Sequence, residues 1–126
     1  MQPSLFDTDV IIDFLRGHPD AVNFLNTFDQ QFRISAVTIA ELYSGVNQDA
    51  ERDELAWFLS LFTVMPLTEE IAIDAGKLRQ NYFRSHGMGL ADAMIAATAR
   101  SFGARLISLN KKHFGMLGNL VVPYEK

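Results

Sequence analysis

Three carboxylates in this chain fall where an α/β protein opens its active site. Asp7 ends the apolar run Leu5-Phe6-Asp7. Glu41 lies in Thr38-Ile39-Ala40-Glu41-Leu42, just after the strand-like Phe32-Arg33-Ile34-Ser35. Asp92 lies in Gly89-Leu90-Ala91-Asp92-Ala93, the first turn of an alanine-rich helix. In open α/β sheets, ligands bind outside the carboxyl ends of the strands. Acids gathered there repel one another unless a cation joins them, and an all-oxygen donor set selects a hard divalent ion.

Each acid also has an ordinary structural reading. Asp7 can serve as an N-cap, although that explains only one of Asp7 and Asp9. Glu41 completes the pattern Thr38-x-x-Glu41 of a capping box. Asp92 resists such a reading, because its helical neighbours Ile95, Ala96 and Ala99 form an apolar stripe. Burying an unpaired carboxylate costs several kcal/mol or forces it neutral. The helix dipole returns only about 0.3–1 kcal/mol. Either that helix end is open to solvent or a cation is present. Thr8, Ser35 and Thr38 stand where they can steady the carboxylates. His18, His86 and His113 share no ligand spacing and are assigned no metal.

The elements that must position these acids alternate. Strands are expected at Ser4–Asp7, Phe32–Ser35, Thr63–Pro66 and Arg105–Leu109, with an edge strand at Leu120–Val122. Helices are expected at 9–16, 20–28, 37–45, 48–62, 69–85 and 90–102. Gly17-His18-Pro19 breaks the first two helices apart, and Gly103 stops the last. Leu55, Phe58, Leu59 and Phe62 mark one helical face by their spacing. Helices 48–62 and 69–85 read as a helical hairpin elaborating the same domain. The single Trp57 and the phenylalanines at helical spacing read as core. Alternation of this kind implies right-handed crossovers and a largely parallel sheet.

The 126 residues suit one domain, with 48% apolar residues to fill its core. No apolar run approaches the roughly 20 residues of a membrane span. The start Met1-Gln2-Pro3-Ser4 carries no basic region of a secretory signal. Cysteine is absent, which excludes disulfides, thiolate metal sites and cysteine nucleophiles and fits a reducing cytoplasm. With 11 basic and 15 acidic residues the net charge is −4, so bulk attraction to nucleic acid is unfavourable. A bound cation would reverse the sign locally. Arg79 and Arg84 on the long helix and Lys111 and Lys112 after the last long strand read first as solvated surface. The lysines also stand where a strand end could present them to a phosphate.

Four segments carry a resemblance. They are Leu5-Phe6-Asp7-Thr8-Asp9-Val10-Ile11-Ile12, Ile34-Ser35-Ala36-Val37-Thr38-Ile39-Ala40-Glu41-Leu42, Gly89-Leu90-Ala91-Asp92-Ala93-Met94-Ile95-Ala96-Ala97-Thr98-Ala99 and Leu106-Ile107-Ser108-Leu109-Asn110-Lys111-Lys112-His113-Phe114. In order and spacing they resemble the PIN-domain ribonucleases, and within them the VapC-type toxins of toxin–antitoxin pairs. The resemblance implies a three-layer α/β sandwich over 1–126, with a central, mainly parallel sheet of four or five strands flanked by helices. It implies endonucleolytic cleavage of RNA with Mg²⁺ or Mn²⁺, a VapB-type antitoxin and a homodimer.

Carried over by residue, Asp7, Glu41 and Asp92 match the family's core acids, with Thr8, Asp9, Thr38 and Asn110 as supporting residues and Arg79, Arg84, Lys111 and Lys112 as RNA contacts. The pattern breaks at Asn110-Lys111-Lys112-His113-Phe114, where many relatives carry an aspartate and this chain carries no acid; that puts a tightly held second metal in doubt. Asp7 and Asp92 are expected to hold the metal directly, with Glu41 acting through water or as general base. The antitoxin is expected on apolar surface formed by Val10, Ile11, Phe14 and Leu15 with the region Leu42–Val46.

Two other readings fit parts of the sequence. Asp7-Thr8-Asp9-Val10 after an apolar strand is also similar to the haloacid-dehalogenase phosphatases, but Glu41 and Asp92 then have no role and no acid follows the later strand. A degenerate domain that only binds RNA or protein is supported by the missing fourth acid.

Overall fold

The structure is a computed structural model that describes residues 2–126. Five short strands form one parallel sheet in the order β3-β2-β1-β4-β5: β1 (Ser4–Phe6), β2 (Arg33–Ser35), β3 (Thr63–Met65), β4 (Arg105–Ile107) and β5 (Leu120–Val121). Phe6 pairs with Ile34 on one side and with Ile107 on the other, so β1 lies at the centre. The chain winds outward from β1 in one direction, then returns to add β4 and β5 in the other. The point of reversal, between β1 and β4, is where such sheets open a crevice at their carboxyl ends.

Between the strands run α1 (Thr8–Leu15), α2 (Pro19–Thr27), α3 (Ala36–Ser44), α4 (Asp49–Leu59), α5 (Glu69–His86), α6 (Leu90–Ser101) and the short α7 (Lys111–Phe114). Side chains along a strand alternate between faces, and two cores follow from that. Leu5 and Leu106 face a core shared with Ile71, Ala75 and Leu78 of α5 and the alanines of α6. Phe6, Ile34 and Ile107 face the other, with Val10 and Ile11 of α1, Leu42 of α3, and Leu55 and Leu59 of α4. Phe6 anchors that second core, with its ring 5.0 Å from that of Phe28 and 5.7 Å from that of Phe32. The expected sandwich with a parallel sheet is the fold observed, at the upper count of five strands.

Two expectations are corrected. The helices around residues 48–62 and 69–85 do not form a hairpin. Strand β3 separates them, α4 packs on one face of the sheet, and α5 lies on the other against α6. Apolar spacing shows which side of a helix is buried, not which side of the sheet it covers. Trp57 is not core either: it is 69% exposed, on the outer side of α4 from the buried Leu55 and Leu59. The spacing assigned to phenylalanine holds, since Phe58 and Phe62 pack against each other at 5.1 Å. The short helix α7, not expected from the sequence, is capped by Asn110, whose Oδ1 accepts from the His113 N–H at 3.1 Å.

Candidate active site

Asp7 follows β1 and caps α1, so its carboxylate lies at the carboxyl end of the central strand. Its Oδ1 accepts from the Thr8 N–H at 2.8 Å and its Oδ2 from the Ser108 hydroxyl at 2.7 Å. Asp9, in the first turn of α1, turns to the same place. Its Oδ2 accepts from the Leu109 N–H at 3.0 Å and lies 3.3 Å from the same Ser108 oxygen. A hydroxyl has one proton, and the shorter contact gives it to Asp7. The end of β4 thus holds two acids of β1–α1 across the reversal point of the sheet, Asp7 through the Ser108 hydroxyl and Asp9 through the Leu109 N–H.

These two acids are undercompensated. Burial pushes Asp7 up to about 8, with repulsion from Asp9 and a smaller contribution from Asp92 in the same direction; the bonds from Ser108 and Thr8 oppose it. Burial also raises Asp9, against the N–H groups of Leu109 and Val10. Among the described residues no lysine, arginine or histidine forms an ion pair with either.

Glu41 does not complete a capping box. Helix α3 starts earlier, at Ala36, and is capped by Ser35, whose Oγ accepts from the Val37 N–H at 3.0 Å. Glu41 is an exposed side chain whose Oε1 accepts from the Thr8 hydroxyl at 2.6 Å. The Thr8 proton being spent there, the buried Thr38 hydroxyl donates to Thr8 at 3.0 Å. Thr8 and Thr38 therefore steady Glu41.

Asp92 is the acid that does take part in a helix start: its Oδ2 accepts from the Gly89 N–H at 3.4 Å at the beginning of α6. The same oxygen lies 2.8 Å from His113 Nδ1. Its side chain is 27% exposed, so the helix end is open to solvent as well as paired. The structure thus brings Asp7 and Asp9 together through Ser108, sets Asp92 near enough to act on Asp7, and joins Glu41 through Thr8. Among the described residues no three acidic or histidine side chains stand at metal-ligating spacing. The donors are nevertheless all hard oxygens, and the buried Asp7 and half-buried Asp9 share more negative charge than their neighbours offset, the condition a hard cation relieves.

Ser108 and His113 were not singled out from the sequence. Ser108 becomes legible only when β4 is placed beside β1, 101 residues away from Asp7. His113 had a weak signal, its position three residues after Asn110. Of the basic candidates, Lys111 pairs with Glu125 at 2.9 Å, Arg79 lies 4.2 Å over the Phe83 ring, and Arg84 and Lys112 are exposed. The apolar surface expected near the first helices is differently composed. Val10 and Ile11 are fully buried, and Phe14 stacks on Phe58 at 5.1 Å. A groove of about 390 Å³ is lined by the expected Leu15, Leu42 and Val46, with Ile12 and Leu55 in place of Val10, Ile11 and Phe14, and reaches Glu41.

Known proteins can now be set beside this geometry. A family model described as PIN domain matches residues 4–116. A protein named Ribonuclease VapC10 from Mycobacterium tuberculosis is 42% identical over 123 residues, covering 95% of this chain and 92% of that protein. Ribonuclease VapC19 of the same species is 36% identical over 124 residues, covering 95% and 98%. A chain of a toxin–antitoxin complex from Klebsiella pneumoniae superposes with a TM-score of 0.86 at 32% identity, covering 98% of this chain and 99% of that one. With the match running from the first strand to the turn before the last, the chain belongs to the PIN-domain family.

Proposed function

We infer that the protein is an endoribonuclease acting as the toxin of a toxin–antitoxin module, with Asp7, Asp92 and Glu41 as its working acids and Mg²⁺ or Mn²⁺ as its cofactor. The observation that carries this reading is the pair of undercompensated carboxylates, Asp7 buried and Asp9 half-buried, at the reversal point of a PIN-family sheet. The ribonuclease names of relatives that match over nearly their whole length support the substrate class.

Asp7 and Asp92 are the residues that would hold the cation, with Asp9 beside them. When bound, a divalent cation lowers the pKa of a water and stabilises charge developing on phosphate oxygens. Asp7, protonated near neutrality in the metal-free protein, must release that proton to serve as a ligand. Ser108 keeps Asp7 and Asp9 turned toward each other, and Asn110, whose N–H donates to Ser108 Oγ at 3.0 Å, fixes the hydroxyl in turn. Glu41 is exposed and fixed at one oxygen by Thr8; its Oε2 is the atom that takes a proton from the attacking water. The basic residues Arg79, Arg84, Lys111 and Lys112 remain the candidates for RNA backbone contacts.

An antitoxin of VapB type is the expected partner, because the similar Klebsiella structure is a toxin–antitoxin complex and another similar structure is VapBC2 from Rickettsia felis bound to a promoter DNA fragment. The groove from Leu15 to Leu55 offers it an apolar floor that ends at Glu41. The test is cleavage of total RNA by purified protein. Activity should vanish in EDTA and return with Mg²⁺ or Mn²⁺. Full activity in chelator refutes the metal mechanism, and RNA binding without cleavage under any divalent ion favours a domain that only binds.

A further inference from the structure

We propose that His113 is a positioning residue of this site, holding the Asp92 carboxylate in place and tied back through Asn110 to the Ser108 that binds Asp7 and Asp9. The inference rests on the nuclease reading for its purpose, and on geometry for its substance.

Asp92 needs a holder. It stands in the first turn of α6 with only the long 3.4 Å contact from Gly89 to fix it on its own helix. A ligand carboxylate free to change rotamer binds a cation weakly, because its ordering must be repeated at each binding event. His113 Nδ1 lies 2.8 Å from Asp92 Oδ2, at charge-assisted hydrogen-bond distance. Among the described residues both partners of Asp92 use Oδ2, which leaves Oδ1 uncommitted.

The backbone that carries the imidazole is itself fixed. Asn110 Oδ1 accepts from the His113 backbone N–H at 3.1 Å, and Asn110 Nδ2 lies 2.8 Å from the ring Nδ1, where it competes with Asp92. On its outer edge the ring rests against Gly87, where an added Cβ would come within 3.4 Å of Nε2. Gly87 ends α5 at a φ of +69°, so glycine there supplies both the left-handed turn and the room for the ring. A continuous set of contacts then runs Asp7–Ser108–Asn110–His113–Asp92. It links the acid of the first strand to the acid of α6 through the loop after β4. The segment that brings no carboxylate to the site brings the group that holds one.

Two groups compete for Nδ1, Asp92 Oδ2 and Asn110 Nδ2. A proton on Nδ1 serves the carboxylate and sets Asn110 Nδ2 against it donor to donor, so that the amide gives no bond to the ring; a bare Nδ1 would accept from Asn110 and face Asp92 lone pair to lone pair. A bond to a carboxylate is the stronger of the two, which favours the proton on Nδ1.

Nitrogen NMR of the metal-free, labelled protein reads this directly. Nδ1 of His113 is expected to carry a proton, with a signal that moves in Asp92→Asn. A ring protonated at Nε2 alone overturns the proposal. Calorimetric titration with Mn²⁺ gives the second readout. His113→Phe is expected to weaken Mn²⁺ binding about 10–100-fold. His113→Asn places an N–H where Nδ1 stands and should recover most of the affinity, whereas His113→Gln places it where Nε2 stands and should not. In an Asp92→Asn background His113→Phe should change nothing further; an equal loss there, or no loss in the wild-type background, overturns the proposal. A wild type that binds Mn²⁺ in this pattern but cleaves no RNA sinks the nuclease reading and leaves the positioning intact. A wild type that binds no Mn²⁺ sinks the metal reading, and the NMR result then decides for or against His113.

Discussion

Asp7 and Asp13 sit at opposite ends of α1, are equally buried at 6% exposed, and are handled in opposite ways. Asp13 is met by the Tyr124 hydroxyl at 2.8 Å and by Lys126 Nζ at 3.0 Å. Burial alone would raise it, but the hydrogen bonds from Tyr124 and Lys126 and the charges of Lys126 and His18 outweigh that and hold it below the ordinary value. Asp7 has one neighbouring acid, a hydroxyl and a backbone N–H, and is pushed up to about 8. The carboxylate that ties the chain together is given its cation by the fold. The carboxylate at the crevice is left short of one. Charge compensation thus separates a stabilising acid from the acid proposed to work on substrate, where exposure cannot.

The sharpest way to break this comparison is to neutralise each acid in turn. Asp7→Asn should lower RNA cleavage by about 10³-fold, the rate equivalent of several kcal/mol of lost charge stabilisation, while its melting temperature holds or rises. An unfolded Asp7→Asn would make Asp7 a structural cap after all. Asp13→Ala should do the reverse, costing about 2 kcal/mol in denaturant unfolding through lost bonds to a charged group, with cleavage retained at temperatures where the variant is folded.

Dependence on pH sharpens the contrast. Between the ordinary 3.8 and about 8, folded Asp7 keeps a proton that the unfolded chain has lost. The metal-free protein should therefore lose stability as pH rises through that window, by a few kcal/mol at most, and Asp7→Asn should flatten the slope. Asp13, held low, acts in the other direction: its contribution disappears as pH falls below about 4. Thermal melts from pH 2 to 9 in chelator read both. The smallest effect belongs to Tyr124→Phe, which removes one hydroxyl bond to Asp13 and should cost about 1 kcal/mol in the same unfolding assay without altering Mn²⁺ affinity.

The acids and the layers were legible from the sequence for physical reasons. Asp7 follows a strand, Asp92 opens a helix and Glu41 lies one turn into the helix after a strand, and such places are marked by local apolar patterns. Strands alternating with helices leave few topologies other than a parallel sheet. What stayed hidden depends on which strands become neighbours. Ser108 matters because β4 lies beside β1, and the placement of α4 and α5 on opposite faces follows from the path through β3. The capping assignments were exchanged for a related reason: Thr38-x-x-Glu41 has the right spacing, but Ser35 had already begun the helix and Thr8, thirty-three residues before Glu41, claimed the carboxylate.

The central position of β1 has a consequence for synthesis. The strand is made before the other four, yet one of its two edges waits for residues Arg105–Ile107. A nascent chain that has reached Ser101 already carries every carboxylate discussed here except Glu125, but not the strand that bridges Asp7 to Asp9. Pairing across such a sequence distance is slow, because the intervening loop must close first. Any activity that depends on this frame is thus withheld until β4 has been made, a built-in delay between making the acids and arming them.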